Sequence, residues 1–448
     1  MKRHFDTSTP AFGQHLSAMA AEWQRALELE GLDAAVVTAG KATLHYSDDL
    51  GPPFRANPHF LRWVPFVECE NSVLVVHPGA RPQLFWWKPR DYWYLPLDPP
   101  EFVDGAFDVK VCPDTRAIAR SVVSTLSNCR KIALVGPEAL EATLDNRWDT
   151  APKGLVQRLE YFRAYRTPFE LNCMRESTRT AVKGHLAARE EFLCGGSEFT
   201  VHMAYLRASG QTEADLPYPN IVAINEHAGT LHYQRYERKR PSPTHSLLVD
   251  AGARHMGYHS DITRTYSFNA GHPLQELVQR LDEAQQELIS NIKPGQQFAE
   301  QHECMRYKIA GILVEASIIN CSQDSAIESG LVDAFFPHGL GHLLGLMTHE
   351  AGGHLSSEIG PANAPPPNRA YLRLTRTIEQ GQVFTIEPGI YFIPMLLDPY
   401  RGSSELNWTS ISRLMPAGGV RVEDNVFVRA DGLENITRAA FDECDASS

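Results

Sequence analysis

The residues of this 448-residue chain that can do chemistry gather in two kinds of place. The first is FFPHGLGHLLGLMTHEAGGH, residues 335–354, with four histidines, one glutamate and five glycines. The second is a set of acids in apolar surroundings. Asp250 ends the run LLVD, Asp261 opens DITRTYSF, Glu387 sits in FTIEPG, and Glu423 sits in VRVEDNVFV. A carboxylate in such a position is costly unless it is paired or holds a cation. Each acid alone is more often a strand-end surface group. Four of them beside a histidine cluster favour a metal site.

The histidine stretch resembles two well-known signatures and satisfies neither. A zinc-protease HExxH places its histidines four apart on one helical face. Here His349 and His354 are five apart, and Gly352 and Gly353 between them disfavour a helix. A dinucleotide GxGxxG needs its third glycine three after the second, which Gly339, Gly341 and Gly345 do not provide. The chain also lacks a GxxxxGK[ST] loop and a GxSxG elbow. The glycines around the histidines are expected to let the backbone approach a metal closely.

Hard oxygen donors plus one imidazole suit Mn²⁺, Co²⁺ or Zn²⁺. Four carboxylates and a neutral imidazole carry four negative charges, which two divalent ions balance. Two such ions about 3.5–4 Å apart hold a hydroxide and polarise a carbonyl, the chemistry of amide hydrolysis.

These residues need elements to position them. Leu16, Met19, Trp23 and Leu27 recur at helical spacing and Gly31 ends the helix. DAAVVTAG, NSVLVVHPG, PQLFWW and KIALVGPE read as strands and TRAIARSVVSTLSN as a helix, which makes an α/β domain over residues 1–160. The aromatic segment FWWKPRDYWYLP reads as core with a domain or subunit contact, or as the border of a substrate pocket. A second domain over 161–448 opens with helical sequence broken near Pro168. It continues with strands PNIVAIN, HSLLVDAGA and DITRTYSF, a helix from about Leu274 to Ile292, and two closing strands, VFTIEPGIYF and GGVRVEDNVFV. AGARHMGYHS is expected to form a hairpin connection that faces Asp250 and Asp261 across paired strands, with His255 and His259 as surface turn residues. PANAPPPN reads as an extended loop. His354 and Asp424 read as structural, the latter on the opposite strand face from Glu423.

Composition narrows the function. Net charge is −12, with 43% hydrophobic and 21% charged residues. That does not suggest the basic surface of a nucleic-acid binder. No apolar run is long enough to span a membrane. The basic start MKRH has no apolar stretch behind it, so it does not read as a secretory signal. Eight scattered cysteines without a CxxC pair read as reduced thiols in the cytoplasm.

The ordered set LLVDAG, DITRT, HGLGH…HE, TIEPGIYF and VRVEDN resembles the prolidase, aminopeptidase P and methionine aminopeptidase superfamily. YPNIVAINEHAGTLHY, YLRLTRTIEQGQVFTIEPGIYFI and FWWKPRDYW extend the resemblance to bacterial-type prolidases, the Xaa-Pro dipeptidases, over nearly the whole chain. Two departures stand out: HYSDDLGPPFRANPHF carries an apparent one-residue shift, and Thr348 is polar where an apolar residue is common. The resemblance implies a pita-bread fold for the second domain and metal ligands at Asp250, Asp261, His342, Glu387 and Glu423, with Asp261 and Glu423 bridging. It implies two divalent ions per chain, Mn²⁺ foremost with Co²⁺ or Zn²⁺ as substitutes. His338 and His349 become catalytic helpers, and Glu387 also a proton shuttle. His232 contacts the dipeptide, Arg421 pairs with its C-terminal carboxylate, and Tyr218 lines the pocket for its N-terminal residue. It further implies a homodimer whose N-terminal loop and aromatic segment help close the site.

The expected reaction is hydrolysis of Xaa-Pro dipeptides by a hydroxide held between two metals. The alternatives are a Xaa-Pro aminopeptidase on longer peptides, an organophosphate triester hydrolase using the same site, and a non-catalytic binding protein on the same fold. Retention of all five ligands argues against the last.

Overall fold

The computed structural model describes residues 10–137 and 145–446. The basic start of the chain, residues 1–9, lies outside them. The chain divides into two compact units. One runs to Asn172 and takes in Ser357–Gly360; the other holds Cys173–Ser356 and the chain from Pro361 onward.

In the first unit, helix α1 (Pro10–Glu30) buries Phe12, His15, Met19, Trp23, Ala26 and Leu27 along one face. Gly31, at φ 63°, turns the chain out of it. Strand β1 (Ala34–Thr38) follows, fully buried. Helix α2 (Pro58–Trp63) is capped by Asn57, whose side chain accepts from His59 N. Then come β2 (Val73–Val76), β3 (Gln83–Trp87) and β4 (Asp108–Cys112). Helix α3 (Thr115–Thr125), capped by Asp114, leads to β5 (Ile132–Val135), β6 (Trp148–Thr150) and α4 (Lys153–Arg163). The strands form one mixed sheet in the order β4-β3-β2-β1-β5-β6. Its centre is β1, antiparallel to β2 and parallel to β5. Val36, Val75, Phe85, Ile118, Val122 and Leu134 belong to one core between sheet and α3. Within the aromatic segment, Phe85 and Trp86 are core, whereas Tyr92, Trp93, Tyr94 and Leu95 stand in solvent.

The division between units falls inside the long helix α5 (Pro168–Leu193). In the second unit, α6 (Glu198–Ser209) starts at a capping box of Ser197 and Thr200. Strands β7 (Ile221–Ile224) and β8 (Ser246–Asp250) follow. The two-residue strands β9 (Arg254–His255) and β10 (Tyr258–His259) form a small hairpin before β11 (Thr263–Ser267). The order β11-β8-β7 is antiparallel throughout. Helix α7 (Pro273–Asn291) buries Leu274, Leu277, Leu281, Leu288 and Ile289 at helical spacing. Helices α8 (Phe298–Glu315) and α9 (Gln323–Glu328) come next.

The last strands differ from the sequence reading. VFTIEPGIYF is two strands, β12 (Val383–Ile386) and β13 (Gly389–Tyr391). Helices α10 (Pro394–Leu397) and α11 (Trp408–Leu414) intervene. GGVRVEDNVFV is likewise two strands, β14 (Gly419–Arg421) and β15 (Asp424–Val428). The cause is Pro388, which has no N–H to give the ladder. Its carbonyl accepts Val422 N at 3.2 Å across the interruption, so the partner strand breaks at the same level. These strands do not close the chain either; β16 (Leu433–Asn435) and α12 (Ile436–Asp445) follow. The proline-rich loop is extended only to Pro366 and then makes a 3₁₀ turn over Pro367–Arg369. A bridge between Thr263 and Glu423 joins the β8 sheet to the β14–β15 level. No helix among the described residues is long and apolar enough to cross a membrane.

Candidate metal and active site

Asp250 closes β8, but it does not face Asp261 across paired strands as the sequence suggested. Its register partner is Thr263, and Ala251 N reaches Ile262 O at 2.9 Å. Asp261 lies two residues before β11, after the β9–β10 hairpin has returned the chain. Tyr218 joins the two acids. Its hydroxyl lies 2.8 Å from Asp250 Oδ1 and also hydrogen-bonds Asp261 Oδ1.

Glu387 and Glu423 occupy the two strand interruptions, where a side chain leaves the regular alternation of the sheet. His342 sits in the glycine loop. Its backbone N–H donates to Thr385 Oγ1 at 3.1 Å, and Thr385 N donates back to His342 O at 3.0 Å. Asp261, His342 and Glu423 each offer a ligand atom, all within 4.8 Å of one another. His342 Nε2 is 3.4 Å from Asp261 Oδ2 and 3.5 Å from Glu387 Oε1.

The donor set fits a divalent cation. His342 Nδ1 lies 3.0 Å from Leu343 O, so Nδ1 carries the proton and donates. In the neutral ring, Nε2 then presents a lone pair to two carboxylate oxygens, the tautomer that a metal ligand needs. The acids also crowd one another. Burial raises the Glu423 carboxyl well above the usual range, and repulsion from Asp261, Glu387 and Asp250 adds to it. Burial pushes Glu387 up to about 7, partly offset by His342 and reinforced by Asp261. Burial also raises Asp250, against the pull of Arg421. Burial raises Asp261 too, yet His342, Tyr218 and His349 together outweigh it and hold this carboxyl below the usual value. Carboxylates held this close repel, and a cation between them removes the repulsion.

The proposed helpers lie around this group. His338 Nδ1 donates to Gly339 O at 2.8 Å and its Nε2 accepts from Tyr391 Oη at 2.9 Å. Glu387 Oε2 is 3.8 Å from the same ring. Burial, then the charge of Arg421, depresses His338 to about 3. His349 is exposed and meets the His342 ring edge-on, with centroids 4.5 Å apart. Although it reaches solvent, partial desolvation by the protein around its ring, then His342 and Arg373, lowers it to about 3. Arg421 is buried, and Asp250 Oδ2, Tyr391 Oη and Thr263 Oγ1 take three of its five N–H groups, at 2.6, 2.8 and 3.1 Å. Tyr218, read as lining the N-terminal pocket, has its hydroxyl on the two aspartates. His232 is exposed, near enough to His338 and His349 to help depress both.

One buried carboxylate holds the segment that carries His232. Glu198, in the first turn of α6, accepts Ile224 N at 2.8 Å. It also accepts His227 Nδ1, Tyr233 Oη and Glu237 N, each at 2.7 Å. The His227 ring stacks on Tyr233 at 4.4 Å.

Several residues escaped the sequence reading. Thr263 Oγ1 donates to Glu423 Oε2 at 2.7 Å, and Thr385 Oγ1 donates to Glu387 Oε1 at 3.3 Å. Each lies two residues from one of the acids, but that spacing alone does not mark a hydroxyl as a partner. Tyr391 links Arg421 to His338. Arg373 is an exposed cation whose charge depresses His349. His259, taken as a surface turn residue, is buried, with its Nδ1 3.0 Å from Thr348 Oγ1.

A Cβ on Gly341 would lie 1.9 Å from Thr385 O, so this glycine lets the loop press against β12. Glu350, the false HExxH glutamate, accepts Leu346 N and Ala351 N at 3.0 and 2.9 Å and shapes its own loop. His354 Nδ1 lies 2.9 Å from Thr375 Oγ1. Asp424 is buried away from the ligands, where Arg264 and Arg438 hold its carboxyl well below the usual range against the penalty of burial.

Comparison with known proteins agrees with this arrangement. The profile of metallopeptidase family M24 matches residues 172–430, and that of the Xaa-Pro dipeptidase N-terminal domain matches residues 10–161. Xaa-Pro dipeptidase 2 of Idiomarina loihiensis is 38% identical over 439 residues, covering 97% of this chain and 99% of that protein. The Xaa-Pro dipeptidase of Shewanella woodyi is 39% identical over 431 residues, covering 95% and 97%. Among solved structures, the low-pH form of E. coli aminopeptidase P aligns with a TM-score of 0.73 at 21% identity, over 95% of this chain and 97% of that one. The Pseudomonas aeruginosa aminopeptidase PepP gives 0.71 at 20%, over 96% and 98%. The structural likeness establishes the N-terminal α/β domain followed by the pita-bread fold. By sequence over nearly its whole length, this chain belongs to the Xaa-Pro dipeptidase family of the M24 metallopeptidases.

Proposed function

We propose that this chain is a metal-dependent dipeptidase that hydrolyses Xaa-Pro dipeptides. The observation that carries the reading is the buried meeting of Asp261, His342 and Glu423, with Glu387 3.5 Å from His342 and Asp250 joined to Asp261 through Tyr218. These five residues would hold two divalent ions, Mn²⁺ in first place, which would supply an acidified water as nucleophile and polarisation of the scissile carbonyl.

The chain's own residues do the rest. Glu387 takes the proton released as water adds to the carbonyl carbon and delivers it to the proline nitrogen as the C–N bond breaks. His349, kept neutral beside His342, donates an N–H to the developing oxyanion. Arg421, through Tyr391, holds His338 in a single orientation next to Glu387. Proline is accepted because its nitrogen carries no hydrogen, so a site that needs no N–H at that bond does not discriminate against it. The substrate carboxylate pairs with an arginine. Arg421 was the expected partner. The protein contacts Arg421 already makes favour sharing this role with exposed Arg373.

The reading extends to a cytoplasmic homodimer, for which the exposed segment Tyr92–Leu95 supplies apolar contact area. The test is to strip the protein with a chelator, confirm metal loss, and restore Mn²⁺. Xaa-Pro hydrolysis is expected to vanish and return. A stripped protein that refills with Mn²⁺ yet hydrolyses no Xaa-Pro dipeptide would overturn the reading.

A further inference from the structure

The strand interruptions that present Glu387 and Glu423 bring two carbonyls within reach of one side chain, Ile386 O and Val422 O. Each belongs to the residue just before a ligand glutamate. One side chain serves both. Gln285, fully buried on α7, places its Nε2 at 2.6 Å from Ile386 O and 3.2 Å from Val422 O. An amide NH₂ has two hydrogens, so both carbonyls are met by one group.

The orientation of that amide is fixed from behind. Gln285 Oε1 accepts Gln286 Nε2 at 2.8 Å and Arg438 Nη2 at 3.2 Å. With donors on its oxygen side and carbonyls on its nitrogen side, the amide has only one arrangement that satisfies all partners. Gln286 and Arg438 also reach Asp424 Oδ2, at 3.0 and 2.8 Å, directly after Glu423 in the chain. A polar network on the outer side of the strands therefore ends in a single amide that ties together the two chain breaks.

We infer that Gln285 is a positioning residue that sets the spacing of the Glu387 and Glu423 carboxylates by tying Ile386 O to Val422 O. This rests on the metal-site reading above. Without the amide the link between the two carbonyls is lost, and each break is free to relax independently. The carboxylates then meet a cation in a less favourable geometry, as happens when groups behind metal ligands are removed. A buried amide that only filled space would not be needed for this.

The test is Mn²⁺ titration of folded, metal-stripped protein by calorimetry, comparing wild type with Gln285→Met. Methionine keeps the length and volume but donates nothing. The expected result is Mn²⁺ binding weakened at least tenfold, with KM for an Xaa-Pro dipeptide at saturating Mn²⁺ within threefold of wild type. Gln286→Ala removes one donor that orients the amide and is expected to weaken Mn²⁺ by about threefold; it serves alone if Gln285→Met does not fold. Unchanged Mn²⁺ affinity in the folded variants, even with a lowered melting temperature, would show a merely structural amide and overturn the inference. Failure of the wild type itself to bind Mn²⁺ would overturn the metal reading and this inference with it.

Discussion

Thr263 and Thr385 illustrate how much of a metal centre lies behind its ligands. Each hydroxyl donates to one of the proposed ligand glutamates and accepts an N–H in turn, from Arg421 Nε at 3.1 Å and His342 N at 3.1 Å. The direction of each hydroxyl is thereby set before any ion arrives. Thr385→Val keeps the shape and removes the donor to Glu387. It is expected to weaken Mn²⁺ binding by about 10–100-fold, read by competition with a coloured chelator. Affinity equal to wild type would mean that strand geometry alone orients Glu387. The cluster of Asp261, His342 and Glu423 was legible in the sequence because several acids in apolar runs beside a histidine-rich loop favour a cation. The threonines, Tyr391 and Gln285 were not, because a hydroxyl in a strand or an amide in a helix is ordinary until its partner is known.

At the level of elements, the segment Ile224–Glu237 shows how a loop carries a precise residue. Its two ends and two of its side chains converge on the Glu198 carboxylate, itself favoured at the start of a helix. Four donors on one buried carboxylate leave the loop little freedom. Glu198→Gln turns an NH₂ group toward two of those donors and leaves them unpaired. Steady-state kinetics of that variant are expected to show KM for an Xaa-Pro dipeptide raised about tenfold with kcat changed less than threefold. Equal losses in both would argue that Glu198 supports folding alone. Most strands and long helices followed from apolar periodicity. The interruption at Pro388 was visible as a proline. That it would break the partner strand too, and so seat Glu423, depended on register, which periodicity does not give. The hairpin between the aspartates was legible as a connection, but its two extra short strands shifted Asp261 off the expected pairing.

For the molecule as a whole, pH sensitivity need not come from the metal site. His302 on α8 is fully buried beside Phe336 and Tyr371, and neither ring nitrogen has a hydrogen-bond partner. Burial, aided by Arg306 and Arg369 and opposed by Glu303, lowers it to about 4. The unfolded chain therefore binds this proton from about pH 6.5 downward while the folded protein refuses it until about 4. Stability is lost as pH falls through that window and is fully present above it. At pH 5 the loss is on the order of 2 kcal/mol. His302→Phe fills the same space without titrating, so its urea midpoint is expected to fall less than that of wild type between pH 7 and pH 5. Parallel curves would place the sensitivity elsewhere. The net charge of −12 and the two-unit architecture were within reach of composition and pattern. The cost of burying one histidine was not, because nothing in a sequence distinguishes a packed imidazole from an exposed one.

Five proposed ligands, two of them at strand interruptions, make a dipeptidase that demands a free proline carboxylate. The most direct measurement is kcat/KM of the Mn²⁺-restored protein on an Xaa-Pro dipeptide against the same sequence extended by one residue. The account predicts a preference for the dipeptide of at least a hundredfold. Equal or better cleavage of the tripeptide would contradict it and make this chain an aminopeptidase.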